Sequence, residues 1–315
     1  MSAFLELTEN QSRQYIDAQA LMRAQADALD DAAQVRGSMI WRELRGVRYL
    51  IRTSAASAQK TIGPDSEDTR AIYDRFMERK QSSVARVKSM TARLEEQRKL
   101  NRLYGVGRAP NVIIKVLNAL QKAGIASQFL TVGTNAIYAY ESACGVRVGT
   151  EAMATRDMDL LFDTRQRAAF VSTLRRLDTS LLAVLRKADP SFRVLRNQLQ
   201  TAVNDDGYEV DIIRRTAKDG DPHPLRMSSN EDDLWAVQVS SGEKMVAGRK
   251  FQQLVVAASG QMAMMQTLHP LDFVRIKTQL ASSLQRDPLK RPKDKLQAGV
   301  VQSLWDSYLQ HLEAA

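Results

Sequence analysis

Two aspartates one residue apart, Asp157 and Asp159, stand inside the apolar run DMDLLFD. Charged side chains are normally kept out of buried strands. In a strand, residues i and i+2 share a face, so the two carboxylates project together, roughly 6.6 Å apart along the backbone, while Met158 and Leu160 point into a core. Carboxylates so placed repel one another unless a cation lies between them. Hard oxygen donors suit Mg2+ or Mn2+. A third acid, Asp211, occupies a similar position in a second apolar run, YEVDIIRR. Three carboxylates so disposed can hold two divalent ions about 3.5–4 Å apart, the clamp used for in-line displacement at phosphorus. The plainer reading is structural, with the acids paired to Arg156, Arg214 or Arg215.

A phosphate group needs a cradle, and TVGTNA, residues 131–136, offers one. A strand ends at Val132, Gly133 permits a tight turn and close backbone approach, and Thr134 opens a helix whose first N–H groups face outward. Thr134 can cap that helix or hydrogen-bond a phosphate oxygen. Strand, Gly-Thr and helix alone are common; followed by Asp-x-Asp on a strand they are specific.

This order, Gly133-Thr134, Asp157-Met158-Asp159 and then Asp211, resembles the DNA polymerase β-like nucleotidyltransferase superfamily, with the core likeness over roughly residues 111–216. The flanks GSMIWRELRGVRYLIR, HPLDFVRIKTQ and KRPKDKLQA are similar to a bacterial branch of nucleotidyltransferase-fold proteins. Thr134 stands where many superfamily members have Ser, and the hydroxyl is kept. The resemblance implies transfer of a nucleoside monophosphate from an NTP to a hydroxyl, with Mg2+ or Mn2+ as cofactor. Asp157 and Asp159 would bind both ions; Asp211 would complete one site and help deprotonate the acceptor; Gly133 and Thr134 would bind the β- and γ-phosphates. Lys277 interrupts the apolar helical stripe of Phe273, Leu280 and Leu284. A lysine in that place matches the branch and reaches the triphosphate; the alternative is a snorkelling side chain with an exposed tip. Lys293 and Asp294 also match the branch. With Lys290, Arg291 and Lys295 they line the nucleotide or acceptor side, or form an ordinary solvated helix start in which Asp294 favours the helix dipole.

The elements that must position these groups follow from periodicity. Residues 1–105 read as a helical region, with a long helix following a Gly63-Pro64 break and capped by Asp65 or Ser66. Within it, Arg42, Arg45, Arg48 and Arg52 recur at three to four residues, which predicts one basic helical stripe flanked by Trp41 and Tyr49, a candidate RNA or DNA contact. Residues 106–225 form the nucleotidyltransferase core. They hold a helix from Asn111, the strands around Thr131, Asp159 and Asp211, and one helix over TRQRAAFVSTLRRLDTSLLAVLRKA. Residues 226–315 add strands, a hairpin turning at Ser259-Gly260 and two closing helices. The fold class is α/β (α+β), a mixed sheet core with helical N- and C-terminal regions.

Composition narrows the classes. One cysteine, Cys144, among 315 residues rules out an internal disulfide and fits a reducing cytoplasm. Three scattered histidines set aside a Cys/His zinc site. No transmembrane run and no leader-like N-terminus is present, so a cytoplasmic protein without membrane partners is expected. A net charge of +9 attracts polyanions or merely aids solubility. The acceptor is therefore expected to be RNA or another nucleic acid; a protein side chain, a small molecule, or a non-catalytic nucleotide- or RNA-binding module are the alternatives.

Overall fold

The computed structural model describes residues 4–54, 57–218 and 220–313. The chain divides into two compact units, Arg13–Asn101 and, separately, the residues up to Ser12 with those from Arg102 onward.

In the unit Arg13–Asn101, two long helices, Glu9–Gln34 and Glu67–Leu103, run antiparallel. They are tied by Arg86–Asp31 at 2.6 Å and by the Gln97 amide donating to Gln14 O at 3.1 Å. Ser66 and Thr69 exchange side chain–backbone hydrogen bonds at the second helix's start, so Ser66 is its cap. The segment between the helices is not helical. Ser38–Leu44, Val47–Thr53 and Gln59–Pro64 form a three-stranded antiparallel sheet. The turn sits at Arg45-Gly46, both with positive φ (53° and 79°), the conformation of a tight hairpin. Tyr49, Leu50 and Ile51 supply the β-favouring residues that override the helix-like arginine spacing.

In the larger unit, seven strands form a mixed sheet. Its main order is Leu225–Arg226, Trp235–Gln238, Glu209–Arg214, Asp157–Phe162, Phe129–Val132, and Gln198–Val203 with Arg193–Leu195 pairs onto Glu209–Arg214. Glu209–Arg214 runs parallel to Asp157–Phe162, and Phe129–Val132 runs antiparallel to it. One face is apolar. Met158, Leu160 and Phe162 are buried there, and Phe170 of the helix Arg167–Arg176 meets Phe162 with ring centroids 4.9 Å apart. The hairpin Lys250–Val256/Met262–Leu268 turns at Ala257–Gln261 with Gly260 at φ 81°. Gly107 passes so near it that a Cβ would lie 2.1 Å from Val256 O, which accounts for the glycine there.

The long helix predicted after Asp163 is broken. Arg167–Arg176 ends, Asp178 takes φ 46°, and Leu181–Ala188 starts afresh. Ser180 caps it, and the buried Asp233 carboxylate accepts from the N–H groups of Leu181 (3.1 Å) and Leu182 (2.8 Å). The helices Pro270–Ser282 and Arg291–Leu304 pack on each other as the chain closes. Among the described residues, no helix is long and apolar enough to cross a membrane.

Candidate active site

The acids are assembled by strand register. Asp159 lies directly opposite Asp211 on its parallel neighbour, Val132 opposite Asp159 on the other side, and Thr201 opposite Asp211. Residues opposite each other share a face, so Asp159, Asp211 and Thr201 form one row across the sheet, with strands about 4.8 Å apart. Asp157 precedes the row on the same face. The Thr201 hydroxyl donates to Asp211 Oδ1 at 2.5 Å, and Thr155 donates to Asp157 Oδ1.

The structural pairing does not occur. Arg156 donates to Asp206 O, Arg215 pairs with Asp221 at 2.8 Å, and Arg214 is fully buried on the sheet's opposite face, donating to Pro222 O. Among the described residues none of the three site acids has a salt-bridge partner. Burial, with Asp157 and Asp211 nearby, pushes the Asp159 carboxyl up to about 7, against the opposing pull of Lys277 and Lys290. Burial likewise raises Asp211, offset by the Thr201 hydrogen bond.

Gly133 follows the strand at φ 68°, and a Cβ there would sit 2.4 Å from Asp159 Oδ2. The Gly-Thr turn and the acid row are thus in direct contact. Gly133–Ala136 is a 3₁₀ turn and the α-helix proper starts at Ile137, one turn later than the sequence suggested. Thr134 makes no capping bond; its Oγ1 accepts from Gln297 Nε2 at 3.0 Å. Asn135 anchors the turn, donating to Asp157 O at 2.6 Å.

The opposite wall comes from the last two helices. Pro270–Ser282 buries Phe273, Ile276 and Lys277, and Arg291–Leu304 buries Asp294, Gln297 and Val301. Lys277 does not snorkel: its side chain is 11% exposed and Nζ lies 2.7 Å from Asp294 Oδ1. Arg286 Nε lies 2.8 Å from the other oxygen of Asp294. Asp294 therefore bridges two cations and is no mere dipole partner. Burial would raise its carboxyl, but hydrogen bonds from Arg286 and Lys277 hold it below the usual range. Burial also lowers the Lys277 ammonium. Leu284 is outside the helix and 90% exposed, so the apolar stripe predicted through it ends at Leu280. Lys293 reaches the cleft but already gives one N–H to Ala154 O at 2.6 Å. Lys290 lines the cleft as well, whereas Lys295 lies on a separate groove.

Together these groups enclose a cleft of about 470 Å3, bounded by Gly133, Thr134, the three acids, Lys277, Lys290 and Lys293. That size is typical of small-molecule sites. Its lining also includes the apolar Ile213, Val239, Met245 and Phe273 beside Ser240 and Ser241. A family model described as Nucleotidyltransferase matches residues 111–315. The chain belongs to the nucleotidyltransferase family. The match takes in every wall of the cleft. No curated protein and no solved structure matches the chain.

The four N-terminal arginines are not one stripe. Arg42 lies opposite Tyr49, and Arg48 opposite Glu43, so Arg42 and Arg48 occupy opposite faces of the hairpin. Arg45 forms the turn. Arg52 stacks on Phe76 at 4.1 Å and donates to Arg36 O, and Arg48 stacks on Trp41 at 5.3 Å. The sequence reading also missed Thr155, Thr201, Arg286 and Gln297. Only Thr201 carried a signal, in the alternation of QLQTAV.

Proposed function

We propose that the cleft transfers a nucleoside monophosphate from an NTP to a hydroxyl group, with release of pyrophosphate. The observation that carries this is the row of unpaired, mutually repelling carboxylates in contact with a Gly-Thr turn and faced by lysines. Donor chemistry supports Mg2+ or Mn2+: Asp157, Asp159 and Asp211 offer hard oxygens, and no histidine or cysteine lines the cleft. Among the described residues, no group of three His, Cys, Asp or Glu side chains is close enough as it stands to hold a metal ion. Bound there, a divalent ion would withdraw charge from the phosphates and acidify the attacking hydroxyl.

The chain's own groups would do the rest. The Gly133 turn admits a phosphate against its backbone, and the Thr134 hydroxyl donates to it. Lys277 and Lys290 oppose the charge that develops on the leaving pyrophosphate. Asp211, with its carboxyl raised, takes the proton of the attacking hydroxyl. RNA as the acceptor is supported by the net charge of +9, but no single basic stripe favours it, and a protein side chain or a small molecule fits the cleft equally.

The test is incubation with each α-32P-labelled NTP, Mg2+, and RNA and protein fractions in separate reactions. Label should appear in one fraction, vanish with EDTA and vanish in Asp157→Ala. Binding of NTP with no label in any fraction would favour a non-catalytic nucleotide-binding module.

A further inference from the structure

Gln297 is fully buried, and its Nε2 is 2.8 Å from Ala152 O and 3.0 Å from Thr134 Oγ1. A backbone carbonyl can only accept, so the Ala152 contact fixes which end of the amide is nitrogen. Both amide hydrogens are then spent, one on Ala152 and one on Thr134. Thr134 Oγ1 is thereby an acceptor towards the protein, and its own proton must point elsewhere. Thr134 lines the cleft beside Gly133, so that proton is left for an anion in the cleft. The other end of the amide is spent on nothing: Gln297 Oε1 is buried and has no hydrogen-bond partner. An unpaired buried acceptor lowers stability, and methionine would fill nearly the same volume without it. The amide is therefore kept for what its hydrogens do.

We infer that Gln297 is a positioning residue, one that sets the polarity of the Thr134 hydroxyl so that it donates to the phosphate tail of the substrate. The inference rests on the nucleotidyl-transfer reading and deepens it by assigning a residue of the last helix to the phosphate end. Gln297 also joins the Gly133–Ala136 turn to the short helix Thr150–Met153 that leads into Thr155 and the acid strand.

Affinity for Mg2+ with an NTP, and for Mg2+ with inorganic tripolyphosphate, should be measured by calorimetry on wild type, Thr134→Val, Gln297→Met and the double variant. Each single change should weaken both ligands by about tenfold, the loss of one hydrogen bond to a charged group. The double variant should be no weaker than Thr134→Val alone, because Gln297 acts through that hydroxyl. Gln297→Glu, which keeps the shape but accepts the Thr134 proton, should be weaker than Gln297→Met, and it supplies the comparison if Gln297→Met folds poorly. Additive losses of about a hundredfold in the double variant, or wild-type affinity in Gln297→Met and Gln297→Glu, would overturn this inference alone. A wild-type protein that binds neither ligand would overturn the nucleotidyl-transfer reading and this inference with it.

Discussion

At the residue scale, the site weakens the fold that carries it. Asp159 is raised in the folded chain from 3.8 to about 7. Between those values the folded state holds a proton that the unfolded state has lost, so stability falls as pH climbs from about 4 to about 7 and levels off above. A carboxyl raised that far lowers stability at neutral pH by at most about 4 kcal/mol. In EDTA, Asp159→Asn should flatten that slope and melt higher than wild type at pH 8, while abolishing transfer; Mg2+ should recover much of the wild-type deficit. Thermal melts at pH 5 and pH 8 decide it, and a variant that melts no higher at pH 8 would return the acids to a structural role. Gly133 gives a second prediction. Alanine there meets both the left-handed backbone and the Asp159 carboxylate, so Gly133→Ala should lose about 1–3 kcal/mol by urea titration, together with nucleotide binding.

At the scale of elements, two helices are held by a buried three-member charge cluster. Asp294 is only 3% exposed between Lys277 and Arg286. Asp294→Ala should cost about 3–5 kcal/mol by stranding a buried cation. The paired change Lys277→Met with Asp294→Leu should recover much of that in chemical denaturation while still failing to support transfer. The Arg45-Gly46 turn behaves oppositely: Arg45→Asn suits φ 53° better and should raise stability by roughly 0.5–1 kcal/mol. These elements also show what could be read from the chain. The acid strands were legible because apolar alternation fixes which side chains share a face, and Gly133 marked the turn that leaves its strand. The hairpin at Arg45 was not, because arginines spaced for a helix outweighed the Tyr49–Ile51 strand signal. The break at Asp178 depends on Asp233, over fifty residues away, which no local pattern announces. The same is true of Gln297, whose partners Thr134 and Ala152 lie 163 and 145 residues away.

At the scale of the whole molecule, the charge of +9 is spread through the chain. The segment Arg13–Asn101 holds 17 Lys and Arg against 12 Asp and Glu. If RNA is the acceptor, Arg42 and Arg45 are exposed members of the predicted set without an aromatic ring beneath them, whereas Arg48, though exposed, lies over Trp41 and the half-buried Arg52 lies over Phe76. Replacing Arg42 and Arg45 by alanine should flatten log affinity against log salt by about two units and leave Mg2+-NTP affinity unchanged. Replacing Arg48 and Arg52 should chiefly lower the melting temperature. A salt slope near zero in the wild-type protein moves the acceptor to a protein side chain or a small molecule.

The single row formed by Asp159, Asp211 and Thr201 has a bearing on how the sheet is built. A one-residue slip of Glu209–Arg214 would turn Glu209 and Asp211 onto the face filled by Met158, Leu160 and Phe162. Unpartnered carboxylates would then be driven into hydrocarbon, at far greater cost than their mutual repulsion in the native cleft. The acids would thus penalise misaligned pairing of these strands during assembly. Neutralising Asp159 and Asp211 together should give a native state that melts higher and yet is reached by fewer of the refolding chains.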